Sequence, residues 1–254
     1  VDAERGSQLS IAEALTNLIW APVEEGLKGV SLSANWMWPA KNPGENARLF
    51  TAVKAVSDFA IELGVNIPTG KDSLSMTQKY KDDVVYSPGT VIISSVGEVK
   101  DVKKVVEPVL SLDSSKGLFY IDLSSYAKKL GGSSFAQIIN KVGDDAPGVK
   151  DAAYFKKAFQ TIQDLIMEDA ITAGHDISAG GLITALLEMN FSNTTGGLNV
   201  DLSKCEETDI VKLLFAENPS ILVQANNNEE FKARLDANHI KYVEIAQAIE
   251  ARQL

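Results

Sequence analysis

Two oxygen-bearing side chains near the start of the chain could bind a hard metal ion. Glu13 and Asn17 are four positions apart, so a helix places the carboxylate and the amide on one face. Carboxylate and amide oxygens are ligands that magnesium prefers. An alternative interpretation is purely structural: Glu13 completes a capping box that begins at Ser10, and Asn17 faces water.

A polar segment further along could add a third metal ligand and an anion-binding turn. Residues 175–182 predict a turn that leads through Gly180 and Gly181 into a helix. The backbone N–H groups of such a turn, together with the helix N-terminus, can bind a phosphate. Asp176 could bind a metal ion. The alternative is an ordinary turn in which a polar side chain caps the helix.

Two more segments could contact a phosphate. Lys71 lies in a predicted glycine-containing turn, residues 69–72, from which it could reach a phosphate as a point charge. The segment is not a P-loop, because the upstream glycine and the following helix are absent. Gly131, Gly132 and Ser133 lead into a short predicted helix and form a second candidate anion-binding turn. The plain alternatives are an exposed lysine and an ordinary helix start.

Composition narrows the classes of function. The chain has 254 residues, a net charge of −10 and one cysteine, Cys205, which excludes an internal disulfide and favours a cytosolic location. The acidic charge disfavours nucleic-acid binding, and no apolar run is long enough for a membrane helix. With His175 and His239 as the only histidines, a multi-histidine site is excluded. A metal here is expected to be magnesium held by oxygen ligands.

Two regions with different patterns must position these residues. The first is predicted to form a domain over residues 1–107, and the second a domain over residues 108–254. Helices are predicted at 10–20, 45–63, 151–173 and 180–189, with a short one after 134 and another from about 229. Strands are predicted at 29–34, 65–67, 73–79, 90–99, 117–123, 198–200, 221–225 and 242–246. Mixed strands and helices of this kind predict an α/β or α+β fold.

Taken in order, these motifs resemble the large, single-chain phosphoribosylformylglycinamidine synthase family, in the C-terminal half of its synthase region. The matching segments are residues 12–17, 32–37, 43–45, 67–76, 130–133 and 175–178. The resemblance implies a fold like that of aminoimidazole ribonucleotide synthetase. Its N-terminal domain, truncated here at its start, contributes strands to a shared barrel, and its C-terminal domain is an α/β sandwich.

The resemblance also implies an activity and a ligand. The family converts formylglycinamide ribonucleotide, ATP and glutamine into formylglycinamidine ribonucleotide, ADP, phosphate and glutamate, as an ATP-dependent carbon–nitrogen ligase of purine biosynthesis. Its synthase core contains two synthetase-like copies, and this chain resembles the second, which holds an auxiliary Mg–ADP or Mg–ATP. The implied metal ligands are Glu13, Asn17 and Asp176, and the implied nucleotide-binding residues are Lys71, Gly131, Gly132, Ser133, Gly180 and Gly181.

Several parts of that enzyme are expected outside this chain. By resemblance, one metal-binding aspartate precedes Val1, the catalytic histidine belongs to the first synthase copy, and the glutaminase domain follows Leu254. We therefore expect a fragment that is inactive alone, has no assigned catalytic residue and forms a homodimer when isolated. Ala179 replaces an acid of the family motif, which favours an alternative hypothesis of a structural module without nucleotide. A third hypothesis is an independent kinase-like relative, such as thiamine-monophosphate kinase or selenophosphate synthetase.

Overall fold

The computed structural model describes all 254 residues. The helices are α1 (Ala3–Leu18), α2 (Glu45–Leu63), α3 (Ser134–Ile138), α4 (Ala152–Met167), α5 (Gly181–Phe191), α6 (Ile210–Phe215) and α7 (Asn228–Ala237). The strands are β1 (Val30–Met37), β2 (Asn66–Ser73), β3 (Thr77–Lys79), β4 (Val84–Tyr86), β5 (Thr90–Gly97), β6 (Gly117–Asp122), β7 (Ile171–Ile177), β8 (Gly197–Val200), β9 (Ser220–Ala225) and β10 (Val243–Ile249). None of the helices combines the length and apolar character that crossing a bilayer requires.

Helix α1 begins earlier than predicted. Asp2 caps it by accepting a hydrogen bond from the backbone N–H of Arg5 at 2.9 Å. The predicted capping box at Ser10 is therefore wrong. Ser10 lies inside the helix, where its hydroxyl donates to the carbonyl oxygen of Gly6 at 3.0 Å. Aspartate is at least as strong an N-cap as serine, so the upstream signal determines where the helix starts.

The first sheet has three strands in the order β2-β1-β5. Strand β1 is parallel to β2 and antiparallel to β5, and α2 forms the crossover between the parallel pair. Helix α2 has its predicted bounds and ends at Gly64, whose φ of 77° is the left-handed C-cap that glycine favours. The predicted turn at residues 69–72 is wrong. These residues belong to β2, where Lys71 pairs with Asn35 of β1, because strand pairing outweighs the local turn signal.

The second sheet has five antiparallel strands in the order β7-β9-β6-β10-β8. The helix predicted over residues 151–173 is too long, since α4 stops at Met167. Asp169 then adopts a left-handed φ of 59°, and the chain turns into edge strand β7. Ile171, Ala173 and Ile177 are buried in this strand. The turn predicted to begin at residue 175 therefore begins only after Ile177.

Helices cover both faces of this second sheet. Buried residues of α4 and α7, including Phe155, Phe159 and Phe231, pack with Phe119 and Ile121 of β6 in one apolar cluster. On the other face, residues of α5 and α6 pack with β6, β9 and β10 in a second cluster. The predicted mixed α/β layering is confirmed.

The two regions share a hydrophobic core. The larger cluster contains 30 buried residues, drawn both from α1, α2 and β1 and from the second sheet. Phe59 of α2 meets Phe155 of α4 edge to face, with ring centroids 6.2 Å apart. The boundary near residue 108 stays a prediction, and any two domains divided there pack as one body.

Candidate functional site

A cleft of about 460 Å³ opens where α1 meets the loops that flank the second sheet. Eight separate stretches of the chain line it, and two of them belong to the glycine-containing turns selected from the sequence. Its lining includes Glu13, Arg48, Gly131, Gly132, Ser133, Ser178, Ala179 and Glu217. Residues distant in sequence therefore meet at a single cavity.

Glu13 lines this cleft, and its carboxylate lies close enough to that of Asp176 to be affected by its charge. Asp176 lies near the end of β7 and is only 9% exposed. Surrounding protein raises the pKa of Glu13, and the negative charge of Asp176 raises it further. Hydrogen bonds from Asn17 and Ser178 act in the opposite direction on the same pKa but do not cancel the rise. Two mutually repelling carboxylates are a suitable donor set for a hard divalent cation.

Asn17 joins this pair, with its amide nitrogen turned toward Glu13. Its Nδ2 donates to the backbone carbonyl oxygen of Glu13 at 2.8 Å and lies 3.3 Å from Glu13 Oε1. A metal ion would be bound through Oδ1, so the side-chain amide would have to flip. No cluster of three or more Asp, Glu, His or Cys side chains is arranged to hold a metal ion. Any ion between Glu13 and Asp176 would thus need further oxygens, from Asn17 and from a ligand.

The backbone N–H groups of the first glycine turn are all engaged within the protein. Gly131, Gly132 and Ser133 donate to backbone carbonyl oxygens at 3.1, 2.8 and 3.1 Å. Glu217 Oε1 accepts from Ser134 N at 2.8 Å. A phosphate could reach these donors only by displacing a protein acceptor, so a ready-made anion site is not present here.

The two glycine N–H groups of the second turn are also engaged within the protein. Gly180 N–H donates to Glu217 Oε1 at 2.8 Å, and Gly181 N–H donates to the carbonyl oxygen of Ser178 at 3.0 Å. Backbone conformation and close packing together account for glycine at position 181. Its φ is 75°, and a Cβ there would lie 2.5 Å from the carbonyl oxygen of Leu214.

Lys71 does not line the cleft. It is exposed on β2, and its Nζ donates to Ser73 Oγ at 2.9 Å. The cation that does line the cleft is Arg48, which pairs with Glu45 at 2.6 Å and lies over the ring of Trp38 at 5.8 Å. Sequence analysis missed Arg48 because it lies in an unremarkable helical stretch of α2.

Glu217 is the other residue that sequence analysis missed. It follows α6, a helix that was not predicted, and precedes Asn218 and Pro219. A single glutamate in a loop carries no spacing signal. Its importance becomes visible only when the fold brings residues 134 and 180 to the same carboxylate oxygen.

A second depression, of about 620 Å³, lies between Glu62 of α2 and the loop residues Ser125 and Lys150. It is lined by six residues, none of which was selected from the sequence. The candidate site is therefore the cleft at Glu13.

Comparisons with known proteins define the class. The family description "FGAR-AT PurM_N-like domain" matches residues 1–98, and "AIR synthase related protein, C-terminal domain" matches residues 121–254. The second match covers more than half of the chain, which therefore belongs to the AIR synthase related protein family. The synthetase-like fold implied by the sequence motifs is confirmed.

Curated relatives show which members of the family the chain is similar to. The chain is 39% identical to the "Probable phosphoribosylformylglycinamidine synthase" of Caenorhabditis elegans, over 98% of this chain and 20% of that protein. It is 38% identical to the Homo sapiens phosphoribosylformylglycinamidine synthase, over 88% of this chain and 17% of that protein. The resemblance drawn from the motifs is confirmed. The chain spans about a fifth of the length of these relatives.

Solved structures show the same fold. Thermotoga maritima PurL complexed with FGAR has a TM-score of 0.70 at 14% identity, over 98% of this chain and 40% of that one. Escherichia coli HypE, a hydrogenase maturation protein, has a TM-score of 0.61 at 16% identity, over 96% of this chain and 73% of that one. At these identities the likeness concerns the fold alone.

The raised pKa of Glu13 gives a prediction for stability against pH. A carboxyl whose pKa is higher in the folded state favours folding while it is protonated. That contribution to stability is lost as the pH rises above 4.5, the ordinary pKa of a glutamate carboxyl. Replacing Glu13 with Gln should therefore raise the thermal midpoint at pH 7, by about 1–2 °C because solvent screens the side chain. Near pH 4, approximately the ordinary carboxyl pKa, the difference should shrink.

Scanning calorimetry at several pH values checks this. Glu206→Gln is the control, because that side chain is 91% exposed, and it should leave the midpoint nearly unchanged. A Glu13→Gln variant that is less stable than the wild type at pH 7 would contradict the electrostatic picture of the cleft.

Proposed function

We propose that this chain is one portion of a phosphoribosylformylglycinamidine synthase and that it binds a magnesium–nucleotide between α1 and β7. The naming of its curated relatives supports the first part. The carboxylate of Glu13 in the 460 Å³ cleft, with that of Asp176 close to it, supports the second part. In the full-length protein the chain would serve an ATP-dependent carbon–nitrogen ligase located in the cytosol. Its partners there would be the first synthase copy and the glutaminase domain.

A nucleotide is the ligand class that the related structures favour. Thermotoga maritima PurL structures with this fold are complexed with AMPPCP, ATP or ADP. A triphosphate or diphosphate brings oxygens that complete the coordination of a magnesium ion. Glu13 and Asp176 would hold that ion, with Asn17 as a third protein ligand once its amide is flipped.

In this proposal the metal ion, and not the glycine turns, binds the phosphates. The N–H groups of Gly131, Gly132, Gly180 and Gly181 already donate within the protein, as described above. Bound magnesium would neutralise the repulsion between the two carboxylates. It would also attract the phosphate oxygens of the nucleotide. Arg48 adds a positive charge to the cleft. Lys71 is separate from it, and its contact with nucleotide stays a prediction.

A calorimetric titration tests the nucleotide proposal. The wild-type chain should release or absorb heat on titration with ADP in the presence of magnesium, and not with ADP in EDTA. Asp176→Asn should weaken binding by about tenfold or more, because it removes one of two charged ligands. Asp82→Asn, an exposed aspartate between β3 and β4, is the control and should bind as the wild type does.

The alternative outcome is equally specific. A structural module without nucleotide would give no heat with the wild-type chain. The glycine N–H groups, which already donate within the protein, and Ala179 favour this second candidate. ADP binding that does not need magnesium and is equally strong in Asp176→Asn would contradict the proposed site, even though nucleotide binds.

We also propose that the isolated chain forms a homodimer through the uncovered face of the first sheet. Helix α1 packs against the other face, where Ser95 Oγ donates to the carbonyl oxygen of Ala14 at 3.1 Å. The uncovered face presents Ile92 and Val96, which are 48% and 66% exposed. In the whole enzyme the first synthase copy would cover this face, and a second copy of the chain can take its place.

Sedimentation equilibrium at roughly 50 µM, a range in which weak dimers form, checks this proposal. The wild type should be dimeric, and Ile92→Lys combined with Val96→Lys should be monomeric. Ile61→Lys changes an apolar residue of α2 that is 74% exposed on another surface, so it should stay dimeric. A monomeric wild type, or a dimer that survives both lysines, would contradict the proposed interface.

A further inference from the structure

A single carboxylate oxygen joins the two glycine-containing turns. Glu217 Oε1 accepts hydrogen bonds from the backbone N–H of Ser134 and of Gly180, both at 2.8 Å. One turn leads into α3 and the other into α5, and they are 46 positions apart (180 − 134). This contact is therefore well suited to hold the turns together.

The backbone beside Glu217 is itself held in place. Asn218 is 1% exposed, and its Nδ2 donates to Ser124 Oγ at 3.2 Å and to the carbonyl oxygens of Tyr126 and Ala127 at 3.3 and 3.2 Å. Its Oδ1 accepts from the backbone N–H of Lys129 at 3.4 Å. The loop that carries Glu217 is thus fixed by buried contacts and not by exposed ones.

This loop is connected to the centre of the second sheet. Asp122, at the end of β6, accepts from Ser124 N and Ser124 Oγ at 2.7 and 2.5 Å. Lys128 donates to the second carboxylate oxygen of Asp122 at 2.6 Å. A chain of hydrogen bonds therefore runs from β6 through Ser124 and Asn218 to the backbone next to Glu217.

The residues that Glu217 connects form walls of the candidate site. Ser133 precedes one of its donors and Ala179 precedes the other, and both line the cleft with Glu13. We propose that Glu217 is a positioning residue of this site, which fixes both turns through their amides and thereby leaves the phosphates of a ligand to the metal ion. This inference rests on the proposed nucleotide site only for its effect on binding.

Reach and charge can be separated at this position. Glutamine keeps the length of the side chain and one carbonyl oxygen that accepts hydrogen bonds, but removes the charge. Aspartate keeps the charge but is one methylene shorter. If the reach of the side chain matters more than its charge, Glu217→Gln should preserve the site better than Glu217→Asp. Glu217→Ala should disturb the site most.

Amide hydrogen exchange is the first measurement. In Glu217→Ala, exchange at the Ser134 and Gly180 amides should accelerate by about tenfold or more, because both lose their acceptor. Glu217→Asp should behave similarly, and Glu217→Gln should stay within about threefold of the wild type. Glu206→Ala, at an exposed position, should change neither amide. A purely global loss of stability would instead accelerate exchange throughout the core.

Calorimetric titration with Mg–ADP is the second measurement. Affinity should fall by about tenfold in Glu217→Ala and Glu217→Asp and return to within about threefold in Glu217→Gln. If the wild type does not bind Mg–ADP, the proposed function fails, and the exchange rates still decide the role of Glu217. Unchanged exchange in Glu217→Ala, or a Gln variant as impaired as the Asp variant, overturns the inference. If the alanine variant does not fold, the Gln and Asp pair decides.

Discussion

The side chain of Gln163 connects the two regions of the chain, and the site depends on that connection. It lies in α4 at 3% exposure, accepts a hydrogen bond from the backbone N–H of Val23 at 2.7 Å, and donates to the carbonyl oxygens of Ile19 and Ala21. The segment after α1 is thereby fixed to the helix that covers the second sheet. Because these backbone groups are buried, leaving them without partners would cost about 1–3 kcal/mol each.

Close packing beside edge strand β7 reinforces the same connection. Trp20 lies directly over Gly174, where a Cβ would come within 2.0 Å of its ring, so the strand and the end of α1 approach more closely than any side chain would allow. Two residues further along β7, Asp176 lies close enough to Glu13 for its charge to raise the pKa of that carboxyl. Glu13, two helical turns before Trp20, is brought to the same place. The carboxylate pair is thus a product of how the two regions pack.

Sequence signals predicted the elements that carry their own boundaries. Helix α2 is bracketed by Pro43-Gly44 and Gly64, and its bounds were predicted correctly. The first residues of β7 were predicted as helix and its last as a turn, because the apolar spacing of α4 continues to Ala170 and because alanine and glycine hide the alternation of a strand. Its strand character comes from pairing with β9, a contact that no local pattern encodes.

The candidate site likewise has a part that the sequence predicted and a part that it did not. Glu13, Asn17 and Asp176 were selected by residue type and motif order, and the structure brings Glu13 into contact with Asn17 and near Asp176. The glycine N–H groups were predicted to bind phosphate, and that prediction depended on the direction in which each group points. The structure directs them to internal acceptors, including Glu217, whose position is set by a buried hydrogen-bond network and not by a motif.

We propose that a divalent cation binds between Glu13 and Asp176 and holds the nucleotide phosphates. Crystals grown with MnCl2 and ADP would test this most directly, since manganese takes oxygen ligands as magnesium does and can be located by anomalous scattering. The expected result is an anomalous peak within coordination distance of both carboxylates, with ADP phosphate oxygens on the same ion. ADP bound in the cleft without a peak at these two side chains, or a peak elsewhere, would contradict the claim.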